Sequence, residues 1–160
     1  MERPIEQRQC AALREQDDRL ALRCVETMLS EDHCSAGLGM VLEGAGAGWA
    51  KLRMPVTRSM INGYNVCHGG LIFALADSTF ACSCNGYNRV TVASGCQIEY
   101  LRPALLGDVL SAHGSERKRG KWTGVYDIEI RNQKKQLVAL FRGKSFTTQK
   151  PIIERREKRG

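Results

Sequence analysis

Asn62-Gly-Tyr-Asn-Val-Cys-His68-Gly69-Gly70-Leu-Ile-Phe-Ala-Leu-Ala-Asp77 is the stretch around which this chain is organised. From Gly69 to Asn88 the only charged side chain is Asp77. Leu71, Ile72, Phe73, Leu75, Ala76, Phe80 and Ala81 surround it with apolar surface, so the spacing predicts a buried helix over Gly69–Cys84. Gly69 and Gly70 stand at its N-terminus, where the first backbone N–H groups have no partner inside the helix. Those groups, with the positive end of the helix dipole behind them, can stabilise an oxyanion. A lone carboxylate on such a helix is costly unless it has a chemical task, which marks the stretch as a candidate active site.

Asp77 lies about 12 Å along the axis from Gly69, at roughly 1.5 Å per residue. Acid–base chemistry needs contact at about 3 Å, so Asp77 cannot reach a carbonyl held at its own helix N-terminus. Two copies of the helix packed antiparallel place each aspartate opposite the other's glycines. A homodimer with two composite sites is therefore expected. The competing reading is a buried carboxylate satisfied by a Ser, Thr or backbone donor of its own chain.

A chain of 160 residues is long enough for one domain with a real core. Hydrophobic content of 42% with 26% charged residues is ordinary for a soluble globular protein. No run of about 18 residues is apolar enough to span a membrane. The N-terminus, MERPIEQRQC, is charged where a signal peptide needs an apolar core, so a cytoplasmic location is expected. Seven cysteines with no C-x-x-C pair, and three histidines, argue against a structural zinc site. Cys67 beside His68 suggests a nucleophile, but adjacent residues on an extended chain point to opposite sides. The net charge of +7 comes in good part from the tail (Lys150, Arg155, Arg156, Lys158, Arg159); the remainder can attract a phosphate-bearing ligand. No basic motif interleaved with aromatics suggests nucleic acid.

Residues 1–16 read as a polar N-terminal extension or a frayed helical arm, 17–148 as the domain and 149–160 as a basic, disordered tail. An amphipathic helix is expected from Asp17 or Asp18 to about Glu31. Met40–Glu43 and Gly48–Thr57 read as a hairpin around Gly44-Ala-Gly-Ala-Gly48. After the central helix, alternation predicts strands over Val90–Arg102, Asp108–Arg119, Trp122–Arg131 and Leu137–Thr148, joined by short breaks that favour antiparallel pairing of neighbours. The class is α+β, with an antiparallel sheet wrapped around one long helix.

With Asn62 six residues before His68-Gly69-Gly70 and Asp77 nine after the histidine, the chain resembles the hotdog-fold acyl-CoA thioesterases, within them the phenylacetate-degradation branch. The segments CHGGLIFALADSTFA (67–81), VASGCQIEYLRPALLGDVL (92–110) and TGVYDIEIRNQKKQLVALFRGKS (123–145) carry the likeness, which spans about residues 24 to 147. The resemblance implies hydrolysis of an acyl-CoA, phenylacetyl-CoA or a hydroxylated form of it, with no cofactor or metal beyond the coenzyme A of the substrate. Asp77 would be the general base, or a nucleophile forming an anhydride. Gly69 N–H would bind the thioester oxygen, with Gly70 beside it, while His68 and Asn62 orient thioester and water. Ser78, Thr79 and Ser94 are further candidates for positioning water. The family implies a tetramer built from two dimers. Arg102, Arg142 and Lys144 are candidates for the CoA phosphates, and Arg117, Lys118, Arg119 and Lys121 form the densest basic cluster. The alternatives are a non-catalytic acyl-CoA-binding regulator on the same fold, and a hydratase; the hydratase would want an Asp preceding a nearby His, and here His68 precedes Asp77.

Overall fold

A computed structural model describes residues 5–154, and side chains from Cys10 onward. Helix α1 spans Ile5–Ser30, a one-turn helix α2 spans His33–Gly37, and strands β1 (Val41–Gly46) and β2 (Trp49–Pro55) form the expected hairpin. Helix α3 runs Gly69–Cys84, the bounds read from the uncharged run. Strands β3 (Thr91–Tyr100), β4 (Val109–Arg119), β5 (Thr123–Arg131) and β6 (Leu137–Thr147) follow. The six strands make one sheet in the order β1-β2-β4-β5-β6-β3, every neighbouring pair antiparallel.

The sheet wraps α3. Leu52 and Met54 of β2, Leu110 of β4, Ile128 and Ile130 of β5 and Phe141 of β6 face the buried helix residues Ile72, Leu75, Ala76 and Phe80. Two strand glycines let the helix lie close. A Cβ on Gly143 would stand 2.8 Å from the Phe80 ring, and one on Gly114 would meet the Ser83 hydroxyl. Tyr126 is buried with its hydroxyl donating to Glu116 Oε2 at 2.9 Å, so its polar end is satisfied.

Two expectations are corrected. The meander holds for β4, β5 and β6, but β3 does not pair with β4, its neighbour in sequence. It lies at the far edge beside β6, from Thr91↔Thr147 to Tyr100↔Ala139. The segment between them crosses the end of the sheet: Leu101 N–H donates to Val138 O at 2.9 Å, and Gly107 N–H to Val56 O at 3.0 Å. Pro103 in this segment has no N–H to give a ladder, and eight residues are ample for a crossing rather than a tight turn. Helix α1 also begins at Ile5 rather than Asp17. Cys10 through Asp17 are exposed throughout, so this part shows no apolar stripe; Ala, Leu, Arg, Glu and Gln sustain it by intrinsic preference. Further on, Ala21, Cys24 and Val25 bury the helix, and Asp18 Oδ1 accepts from Ala47 N–H at 2.8 Å, tying it to the β1–β2 turn.

Of the tail, residues 149–154 are described, and they are held in place, not disordered, since Lys150 O accepts from Val90 N–H and Asn88 Oδ1 from the Ile152 and Ile153 amides. The expectations for residues 155–160, and for residues 1–4 of the extension, lie outside the described residues. Among the described residues no helix is long and apolar enough to cross a membrane.

Candidate active site

His68 caps α3. Its Nδ1 accepts from Gly70 N–H at 3.0 Å, and its carbonyl accepts from Leu71 N–H at 2.9 Å. Because Nδ1 acts as acceptor, a neutral ring carries its proton on Nε2 and keeps that donor available. Gly70 N–H is thereby consumed. Gly69 N–H has no acceptor among the described residues, so it is the amide left at the positive end of the helix. The Gly69 carbonyl accepts from the Tyr100 hydroxyl at 2.9 Å. A Cβ at Gly69 would lie 3.2 Å from the Tyr100 ring, so a larger residue there would press on that side chain.

Asn62 shapes the approach to the helix. Its Oδ1 accepts from Tyr64 N–H at 2.9 Å and Val66 N–H at 3.4 Å, an Asx-type turn that returns the chain so that Cys67 bridges Ile61. The amide Nδ2 is left as a donor. Cys67 itself is buried, its thiol pushed up by desolvation and donating to the His68 carbonyl at 3.7 Å. Such a thiol makes a poor nucleophile.

Asp77 is half-buried, and desolvation pushes its pKa above the ordinary carboxylate value. Among the described residues its one hydrogen-bond donor is the Cys96 thiol, at 4.0 Å from Oδ1. No Ser, Thr or backbone donor among the described residues satisfies it. Ser78 instead shares a hydrogen bond of 2.9 Å with Ser35, whose hydroxyl donates to Asp32 Oδ2 at 2.6 Å. Thr79 is fully buried and donates to the Leu75 carbonyl at 2.7 Å. Two residues along a helix point to nearly opposite sides, so Thr79 faces the sheet and not Asp77. Ser94 is the extra residue of a bulge between Ala93 and Gly95, and its hydroxyl donates to Lys144 O at 3.1 Å. These three hydroxyls are not brought to the carboxylate.

Two residues outside the sequence reading stand there instead. Cys96 and Tyr100 are four apart on β3 and share one face; the first touches Asp77, the second Gly69. The strand thus runs alongside α3 and marks both reactive positions. The alternation Cys96, Ile98, Tyr100 was visible, but the bulge hid which residues face the helix.

A cleft of about 500 Å³ opens beside Asp77. Met28 of α1, Ala81 and Cys84 of α3, Val92 of β3, and Pro151 and Ile152 line it. A cleft of about 560 Å³ on the other face of the sheet, with Lys51, Arg53, His113 and Arg131, is separated from Asp77 by the strands.

The basic candidates divide. Arg142 makes a two-pronged ion pair with Asp127, Nε–Oδ1 at 2.6 Å and Nη2–Oδ2 at 2.8 Å, and Arg117 joins at 2.8 Å. Arg142, aided by Arg117, holds the Asp127 carboxyl below its usual range. Arg142 and Lys144 alternate with Phe141 and Gly143, which pack on α3, so both point away from the helix. Arg102 stands in the crossing segment, where Ala104 O accepts from Cys67 N–H at 2.8 Å, beside the approach to Gly69. Of the dense cluster, Arg119 lies 3.8 Å over the Tyr87 ring and Lys121 5.2 Å over Trp122. Among the described residues no group of three His, Cys, Asp or Glu could hold a metal ion.

The thioesterase superfamily profile matches residues 64–139. The chain is 49% identical over 118 residues to acyl-coenzyme A thioesterase PaaI of Escherichia coli strain K12, covering 74% of this chain and 84% of that protein. Its fold is similar to the structure of E. coli PaaI from the phenylacetic acid degradation operon, with a TM-score of 0.83 at 44% identity, over 84% of this chain and 97% of the other. It is similar also to a Streptococcus mutans protein bound to acetyl CoA, with a TM-score of 0.68 at 29% identity, over 70% and 90% of the two chains.

Proposed function

We propose that this chain, which belongs to the hotdog-fold thioesterase superfamily, hydrolyses acyl-CoA thioesters to a carboxylic acid and free coenzyme A. The carrying observation is a pair on one helix: a half-buried, uncapped Asp77, and about 12 Å away the unpaired Gly69 N–H. Each lacks the other's chemistry, and a second copy packed antiparallel supplies it.

In that composite site Asp77 of one subunit takes a proton from water as the water attacks the thioester carbon. The oxygen that becomes negative is held by the partner's helix N-terminus through its Gly69 amide. Collapse of the tetrahedral intermediate expels the CoA thiolate, a leaving group that needs little help from an acid. The His68 Nε2–H and Asn62 Nδ2 donors, both uncommitted among the described residues, orient thioester and water. The Asp77 carboxylate attacking directly would give an anhydride, cleaved by water in a second step. Arg102, on the segment whose Ala104 carbonyl accepts from Cys67 N–H next to His68, meets a CoA phosphate in this reading.

The dimer is supported by β3. Ten residues long, it leaves one edge unpaired, and Tyr64, Val92, Tyr100, Leu101, Leu105 and Leu106 expose apolar surface. An exposed edge of this length is a template for another strand. A tetramer of two such dimers is part of the same proposal. A phenylacetyl or hydroxyphenylacetyl substrate is favoured by the similarity to E. coli PaaI.

The test follows thiol release from phenylacetyl-CoA and straight-chain acyl-CoAs by wild type and Asp77→Ala, with the mass of the particle measured in parallel. Loss of more than about 100-fold in the variant is expected for a catalytic base. Equal rates remove Asp77 from the chemistry, and an active monomer removes the composite site. Tight acyl-CoA binding without thiol release identifies a regulator instead.

A further inference from the structure

The segment after β6 does more than end the domain. Thr148 N–H donates to Val90 O at 2.9 Å, and Val90 N–H to Lys150 O at 2.8 Å, so the chain continues beside the entry to β3. Asn88 then holds it. The Asn88 Oδ1 accepts from Ile152 N–H at 3.1 Å and Ile153 N–H at 2.8 Å, and Nδ2 donates to Ile153 O at 3.1 Å. The Cys24 thiol of α1 donates to the same Oδ1 at 3.7 Å. Asn88 has φ +54°, a left-handed conformation that asparagine tolerates better than most residues and that directs its amide at the strap. Pro151, which has no N–H, sits between the bonded positions without leaving a donor unmet.

The strap borders the cleft that holds Asp77: Pro151 and Ile152 line it opposite Met28. Along α3 the lining residues Asp77, Ala81, Cys84 and Asn85 share one helical face and extend about 12 Å from the carboxylate. An acyl group whose carbonyl carbon lies beside Asp77 therefore points its far end along this face. Apart from Asp77 the lining carries one charged side chain, the carboxylate Glu31, which disfavours an anionic group, and Ala81, Cys84 and Val92 add apolar surface, so an uncharged acyl group is the occupant it suits. Nothing in the known chemistry of thioester cleavage requires the strap.

We propose that Lys150–Glu154, pinned by Asn88, is the end wall of the acyl cleft and sets the length of acyl group accepted. This rests on the thioesterase reading and adds to it a specificity determinant outside the reacting groups.

The test compares kcat/KM for octanoyl-CoA with that for phenylacetyl-CoA in wild type, Ile152→Ala, Ile152→Trp and Asn88→Gly. Glycine at 88 keeps the backbone conformation and removes only the clamp. Ile152→Ala and Asn88→Gly should raise the octanoyl to phenylacetyl ratio on the order of tenfold, and Ile152→Trp should lower it by a similar factor, the size of a methylene or two gained or lost in an apolar pocket. Thermal melts establish that each variant is folded. A ratio unchanged within about twofold in both folded Ile152 variants, against the tenfold expected, overturns the strap while leaving the thioesterase reading intact. A wild type that hydrolyses no acyl-CoA overturns both.

Discussion

The Cys96 thiol stands 4.0 Å from Asp77 Oδ1 and is the sole donor to that carboxylate among the described residues. A thiol is a weak donor, so it stabilises the charged form only slightly against the desolvation that raises the Asp77 pKa. The rate should therefore fall on the acid side with a midpoint above the ordinary carboxylate value of about 3.9. A hydroxyl donates better and favours the anion, so Cys96→Ser should move that midpoint to lower pH; Cys96→Ala should move it higher. Profiles of kcat against pH for the three proteins decide this, and coincident acid limbs would show that Cys96 does not act on Asp77.

The same carboxylate makes a prediction about stability. Burial raises its folded pKa, so the folded chain holds the proton to higher pH than the unfolded chain. The contribution of the neutral acid is fully present below the unfolded value and is lost as pH rises through the folded one. At pH 7 the ionised group destabilises, and Asp77→Asn should melt higher than wild type. Asp77 is half-exposed, so screening keeps the gain to on the order of 2 °C. The gap should close as pH falls toward the ordinary carboxylate range. Melting curves from neutral to acidic pH check both parts.

Tyr100 ties the edge strand to the first turn of α3 through the Gly69 carbonyl at 2.9 Å. Tyr100→Phe keeps the ring over Gly69 and deletes the bond. A hydrogen bond of this kind contributes about 0.5–1.5 kcal/mol, so a fall in kcat of roughly two- to twelvefold is expected where the glycine amide holds the reacting oxygen. A fall confined to KM would place the tyrosine in binding, not in orienting the helix start.

How much of this was legible in the residues follows from which forces are local. The bounds Gly69–Cys84 are readable because an uncharged apolar run and two glycines at its start all act within the segment. Strands β4 to β6 were readable from alternation and short turns. The place of β3 was not: it pairs with β6, and nothing in Leu101–Asp108 announces a crossing over the sheet end. The bulge at Ala93–Gly95 shifts the register, which hides Cys96, while Ser94 enters through the resemblance. The partners of Ser78 and Thr79, Ser35 and the Leu75 carbonyl, are equally invisible in the sequence. Arg142 stands among the candidates for the CoA phosphates in the sequence because its partner Asp127 lies on another strand, directly opposite it across β5 and β6 but fifteen residues away along the chain.

Gly143 gives a prediction that joins packing to catalysis. Its missing Cβ leaves the space the Phe80 ring fills; an added methyl would stand 2.8–2.9 Å from three ring atoms. Both residues are buried, so neither can move into solvent. Gly143→Ala should therefore cost about 1–3 kcal/mol through overpacking, a melting loss of roughly 2–12 °C for a chain of this size. The relief must come from α3 moving off the sheet, and Asp77 is three residues from Phe80 on that helix. Activity in the folded variant should fall along with stability. Phe80→Leu, which removes the ring, should restore part of both when combined with Gly143→Ala, and the double-mutant cycle measures the coupling directly. Additive losses would mean that β6 yields instead of the helix, and then the position of Asp77 would not depend on this contact.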